Sequence, residues 1–98
     1  MQSEALPSYA DVVQRLAEAR VNRTESHIKR LDHCAGLIEA SRTRLGEALY
    51  CELVSQAYAY ALFLTNCKSQ NIPLTDVRVR EPVREVSLFC EFLETDLA

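Results

Sequence analysis

The side chains best suited to chemistry in this 98-residue chain are four cysteines, Cys34, Cys51, Cys67 and Cys90, and two histidines, His27 and His33. Metal chemistry needs several of these within bonding reach of one ion, and a zinc site takes four ligands at close pairwise spacing. His27 and Cys34 are seven residues apart, which on a helix is roughly 10.5 Å along the axis and too far for one ion. His33 is the chain neighbour of Cys34 and points elsewhere. The cysteines stand 17, 16 and 23 residues apart and form no C-x-x-C pair. Each sits among apolar residues of a helical pattern. They therefore read as small thiols packed into apolar surface in a reducing compartment, with Cys34 half-buried and His33 exposed. No cofactor or metal is expected.

The remaining reactive candidates are arginines. Arg20, Arg23, Lys29 and Arg30 cluster around the first turn between helices, and Arg42, Arg44, Arg78, Arg80 and Arg84 form a second basic group. A helix following a short turn superficially suits a helix-turn-helix, but the turn glycine is missing and Glu25, Asp32 and Glu39 share that helix. The net charge of −3 also works against a polyanion partner. There is no glycine-rich phosphate loop, no nucleophile elbow and no paired histidine and carboxylate at useful spacing. Catalysis is not expected.

The elements that would position any site are helices. Two glycines and three prolines leave little turn material for a multi-stranded sheet. The stretch 48–67 dominates, with eight consecutive apolar or aromatic residues from Ala57 to Leu64. A helix that is apolar all round is buried on most sides. Interrupted by Glu52, Gln56 and Asn66, it falls short of the roughly 20 apolar residues of a membrane span. Residues 1–8 lack the basic and apolar regions of a signal peptide. A cytoplasmic protein is expected.

In chain order, residues 1–7 read as a loose tail of a single 98-residue domain. Ser8 and Asp11 form a capping-box-like start for a helix over 9–21, with Tyr9, Val12, Val13, Leu16 and Ala17 on its apolar side. The chain breaks at 22–24, with Thr24 as the next cap. Ile28, Leu31, Ala35 and Ile38 then give a 3-4-3 seam. The seam continues through Arg42, Leu45 and Leu49, so helices two and three read either as one rod or, the favoured reading, as two helices meeting near 41–44. Helix three carries the stripe Leu49, Leu53, Tyr60 and Leu64, assigned to the core. Asn71 and Pro73 stop it, Asn71 being able to take the left-handed conformation. Residues 75–80 alternate apolar and basic, a strand period. They read as an extended strap or as a strand pairing with its copy in a dimer, the strap being favoured. Pro82 opens a last helix carrying Val83, Val86, Phe89, Cys90, Leu93 and Leu97.

The fold expected is all-α: an antiparallel bundle of three or four helices with a short extended segment before the last. Helix three has more apolar perimeter than such a bundle covers, which leaves Tyr58, Leu62 and Phe63 as the expected partner or dimer interface. In size and composition the chain is similar to small bacterial regulators that hold another protein, such as antiactivators, anti-sigma-like factors or co-chaperones. The expectation is a non-catalytic regulator or adaptor, a homodimer that binds a protein partner and neither nucleic acid nor membrane. The alternative is a small DNA-binding regulator using the basic group on helices one and two.

Overall fold

Ser8 and Asp11 bond reciprocally at the start of the first helix. The Asp11 amide donates to Ser8 Oγ at 3.2 Å, and the Ser8 amide donates to Asp11 Oδ2 at 2.9 Å. Two amides that no helical carbonyl can reach are thereby satisfied. A computed structural model describes residues 6–19 and 25–97, and in it this box opens α1, Tyr9–Ala19. The expected break at 22–24, the Thr24 cap, most of the loose tail and the end of helix one lie outside the described residues.

Next come α2, Glu25–Ala40, the single turn α3, Arg42–Leu45, and the long α4, Glu47–Ser69. A 3-10 turn, Val77–Val79, leads into α5, Arg80–Leu97. Among the described residues the fold is all helical. It has one short and four long helices where three or four were expected.

The favoured two-helix reading of 25–69 holds, but the break falls at two points. Ser41 leaves the α2 ladder, its amide still shared between the carbonyls of Leu37 and Ile38. Gly46 then turns the chain with φ 85° and ψ 157°, a region open in practice only to glycine. Its amide closes α3 on Arg42, and its carbonyl accepts from Tyr50 to begin α4. At the far end of α4, Asn71 sits at φ 57° in the left-handed region. Its amide donates to Lys68 O and that of Ile72 to Cys67 O, the two bonds of a Schellman stop.

Residues 77–79 correct the expectation of an extended segment. Asp76 accepts from the Arg78 amide at 2.8 Å and grips the Arg78 guanidinium with both carboxylate oxygens, at 3.0 and 2.8 Å. These bonds close a turn where an unpaired strand would leave its ladder unsatisfied. The Arg78 contacts hold the Asp76 carboxyl down at about 2.

The core is built on α2. Ile28, Leu31, Cys34, Ala35 and Ile38 are buried against Val12 and Leu16 of α1, the inner face of α4, and Val86, Cys90 and Leu93 of α5. The seam expected on helix two is therefore the interior of the protein. Cys34 is fully buried, not half-buried.

Helix directions depart from a uniformly antiparallel bundle. Arg30 Nη2 meets Glu94 at 2.8 Å while Cys34 Sγ donates to the Cys90 carbonyl at 3.6 Å. Numbers rise on α2 as they fall on α5, so this pair is antiparallel. By contrast, Thr65 Oγ1 donates to the Arg15 carbonyl at 3.3 Å, and Lys68 Nζ to that of Glu18. Numbers rise together, so α1 runs in the same direction as α4. The molecule is a slab, 38 × 37 × 20 Å. Its thickness is about two helix diameters.

Candidate functional site

On α4 the packing selects one stripe of several apolar ones. Tyr50, Val54, Ala57, Ala61, Leu64 and Cys67 are buried. Of the stripe assigned to the core from sequence, only Leu64 lies inside. Leu53 and Tyr60 are half-buried, and Leu49 is 44% exposed. The two stripes lie side by side, and the small Ala57 and Ala61 are fully buried in the inner one.

The displaced stripe lines a groove. Leu49, Glu52, Leu53, Gln56 and Tyr60 of α4 form one wall, and Glu85, Leu88, Phe89 and Phe92 of α5 the other, around a volume of about 490 Å³. The walls touch where the Tyr60 and Phe89 rings meet, with centroids 5.1 Å apart and planes at 57°. That tilted contact is a favourable aromatic geometry. Leu88 is 51% and Phe92 55% exposed, so together with Leu49 the rims are apolar and open to solvent. Burial, then the Glu85 charge, raise the Tyr60 phenol above its ordinary value. An α5 stripe of Val86, Cys90 and Leu93 was visible in the sequence. The groove residues Leu88 and Phe92 were missed, although two large apolar residues four apart and off that stripe are a readable signal.

Tyr58, Leu62 and Phe63, expected as the interface, are all half-buried. The Tyr58 hydroxyl accepts from Arg15 Nε at 3.4 Å, and the guanidinium lies 5.9 Å from the ring centre. Tyr58 and Phe63 pack against the core. The parallel α1 thus supplies cover that the sequence reading did not foresee, and the most open large apolar side chains of α4 and α5 lie along the groove.

The basic residues are largely engaged. Arg30 forks onto Glu94, Arg42 pairs with Glu47 at 3.1 Å and lies over the Tyr50 ring, Arg44 donates to Ser41, and Arg78 is held by Asp76. Lys29 also has a partner, and Arg20 and Arg23 lie outside the described residues.

The four cysteines are free. Cys34, Cys67 and Cys90 are buried, and Cys51 is half-exposed beside Glu47. A hydrogen bond with Cys90, then burial, push the Cys34 thiol well above the ordinary thiol range, and the same bond draws Cys90 down. Burial raises Cys67. His27 is half-buried and His33 exposed. Among the described residues no three His, Cys, Asp or Glu side chains gather closely enough to hold a metal ion, and no helix is long and apolar enough to cross a membrane.

Compared with known proteins, the chain matches no family model, no curated protein and no solved structure.

Proposed function

We propose that the protein is a small non-catalytic regulator or adaptor that binds another protein, and that the α4–α5 groove is its docking surface. The observation that carries this reading is the open rim of Leu49, Leu88 and Phe92 around a floor of Leu53, Tyr60 and Phe89. Large apolar side chains left open together and edged by polar ones are the usual mark of an interaction site. Aromatic residues at such a centre bury much area for little lost side-chain freedom. The face of Tyr58, Leu62 and Phe63, the surface proposed for a homodimer, is the runner-up, being less open. Four free thiols favour a reducing compartment such as the cytoplasm. The DNA-binding alternative is not favoured, since Lys29 and Arg30, the two residues of its basic group that lie among the described residues, are engaged within the protein.

The test is a comparison of captures. Wild-type protein and the double variant Leu88→Glu/Phe92→Glu are immobilised and exposed to native lysate, and retained proteins are identified by mass spectrometry. Both residues are more than half exposed, so circular dichroism should show an intact helical fold. A carboxylate buried unpaired in a complex is strongly unfavourable, so the specific partner should vanish from the variant capture. Identical captures would remove the groove from the function.

A further inference from the structure

Resting on the reading of the groove as a docking surface, we infer that its occupant is a basic amphipathic helix of a partner protein. Two independent features point there, one from charge and one from backbone chemistry.

The charge feature is a set of unpartnered carboxylates. Elsewhere on the molecule, Glu18, Glu47, Asp76 and Glu94 are each held by an arginine, and Glu39 by the Tyr50 hydroxyl. Glu52 and Glu85 are the only charged residues lining the groove, one on each wall, and neither has an ion pair among the described residues. Glu81 and Asp96, four residues before Glu85 and four after Phe92, extend the acidic row along the exposed side of α5. The cations of α5, Arg80 and Arg84, are the chain neighbours of Glu81 and Glu85, and neither lines the groove. An apolar floor between acidic edges is complementary to an apolar stripe flanked by lysine or arginine. A second copy of this chain offers the opposite. Two-fold pairing across the groove would set carboxylates of one copy against those of the other, and like charges across an interface are costly.

The backbone feature selects the conformation. Both walls are α-helices, whose amides and carbonyls are already bonded within their own ladders. An extended peptide laid between them would bury its own amides and carbonyls without partners, at a cost for each. A helix satisfies its backbone internally and brings only side chains to the walls. The lining side chains of α4 run from Leu49 to Tyr60. That is about 16 Å of helix axis, which matches three turns of a partner presenting apolar residues at i, i+4, i+7 and i+11.

The test uses three synthetic 18-residue peptides labelled for fluorescence anisotropy. The first carries leucine at i, i+4, i+7 and i+11 and lysine at the flanking positions. The second replaces every lysine with glutamate, and the third keeps the lysines but has two central prolines. The basic helical peptide should bind, shift the amide resonances of α4 and α5 along the groove, and weaken as salt rises. The acidic and proline peptides should bind about tenfold more weakly or worse. The Glu52→Lys/Glu85→Lys variant should reverse the preference between the lysine and glutamate peptides. Equal binding of the lysine and glutamate peptides overturns the charge assignment, and equal binding of the proline peptide overturns the helix. If no peptide binds, yet a lysate partner is lost from the Leu88→Glu/Phe92→Glu variant, the groove reading stands and this inference fails. A concentration-dependent dimer abolished by Phe92→Glu would also overturn it, assigning the groove to a second copy.

Discussion

Leu64→Ala should lower the unfolding free energy by about 2–5 kcal/mol, the range for buried leucines whose site cannot fully collapse. Leu49→Ala, about four turns earlier on the same helix, should cost less than about 1 kcal/mol. Leu64 is 1% exposed and Leu49 44%, although both belong to one apolar row of one helix. In a chain of this size 1 kcal/mol moves the melting midpoint by about 4–8 °C, so Leu64→Ala should melt at least about 8 °C below wild type while Leu49→Ala stays close to it. Thermal melts followed by circular dichroism read the difference. Equal shifts would mean that the assignment of inner and outer stripes on α4 is incorrect.

The second contrast uses the two glycines. Gly46→Ala should destabilise by about 1–3 kcal/mol, because φ 85° with ψ 157° is strained for any residue with a Cβ. The strain lies in the backbone alone, since an added Cβ meets nothing within 4 Å. Gly36 lies inside α2 with equally open space around its Cβ position. There the same substitution should stabilise by about 0.5–1 kcal/mol, through reduced freedom of the unfolded chain and better helix propensity. Opposite signs from one chemical change separate a hinge that needs glycine from a helix that tolerates it. Urea unfolding at constant m-value measures both. Stabilisation by Gly46→Ala would show that α3 and α4 can merge into one rod.

How much of this was legible in the sequence follows the range of the interactions involved. The Ser8–Asp11 box, the seam of α2 and the left-handed Asn71 are written within a few residues of each other, and all three are present in the structure. The inward stripe of α4 was not legible. With Leu49, Tyr50, Leu53, Val54, Ala57, Tyr58, Tyr60 and Ala61 all apolar or aromatic, the narrow polar side of Glu52, Gln56 and Asn66 leaves several apolar stripes to choose between. Only the approach of α1 and α2 chooses Tyr50 and Val54 over Leu49 and Leu53. The parallel run of α1 beside α4, which gives Tyr58 its cover, likewise depends on contacts some 50 residues apart in the chain. Residues 77–79 misled for another reason. Val79 is buried and Val77 is 70% exposed, so their alternation does not mark one face of a strand. Asp76, not the valines, sets the local geometry.

The position of α2 at the centre has a dynamic consequence. It packs against α1, α3, α4 and α5, whereas α5 leans chiefly on α2 and on the turn that precedes it. Cooperative openings that release one element should therefore begin with α5, whose detachment gives up less packing than that of any other long helix. Amide protons of α5 should exchange with solvent faster than those buried in the middle of α2, and a ligand seated between α4 and α5 should slow them selectively. One wall of the groove thus belongs to the stable unit and the other to a part that can come away, so occupancy of the groove also locks the last helix onto the rest.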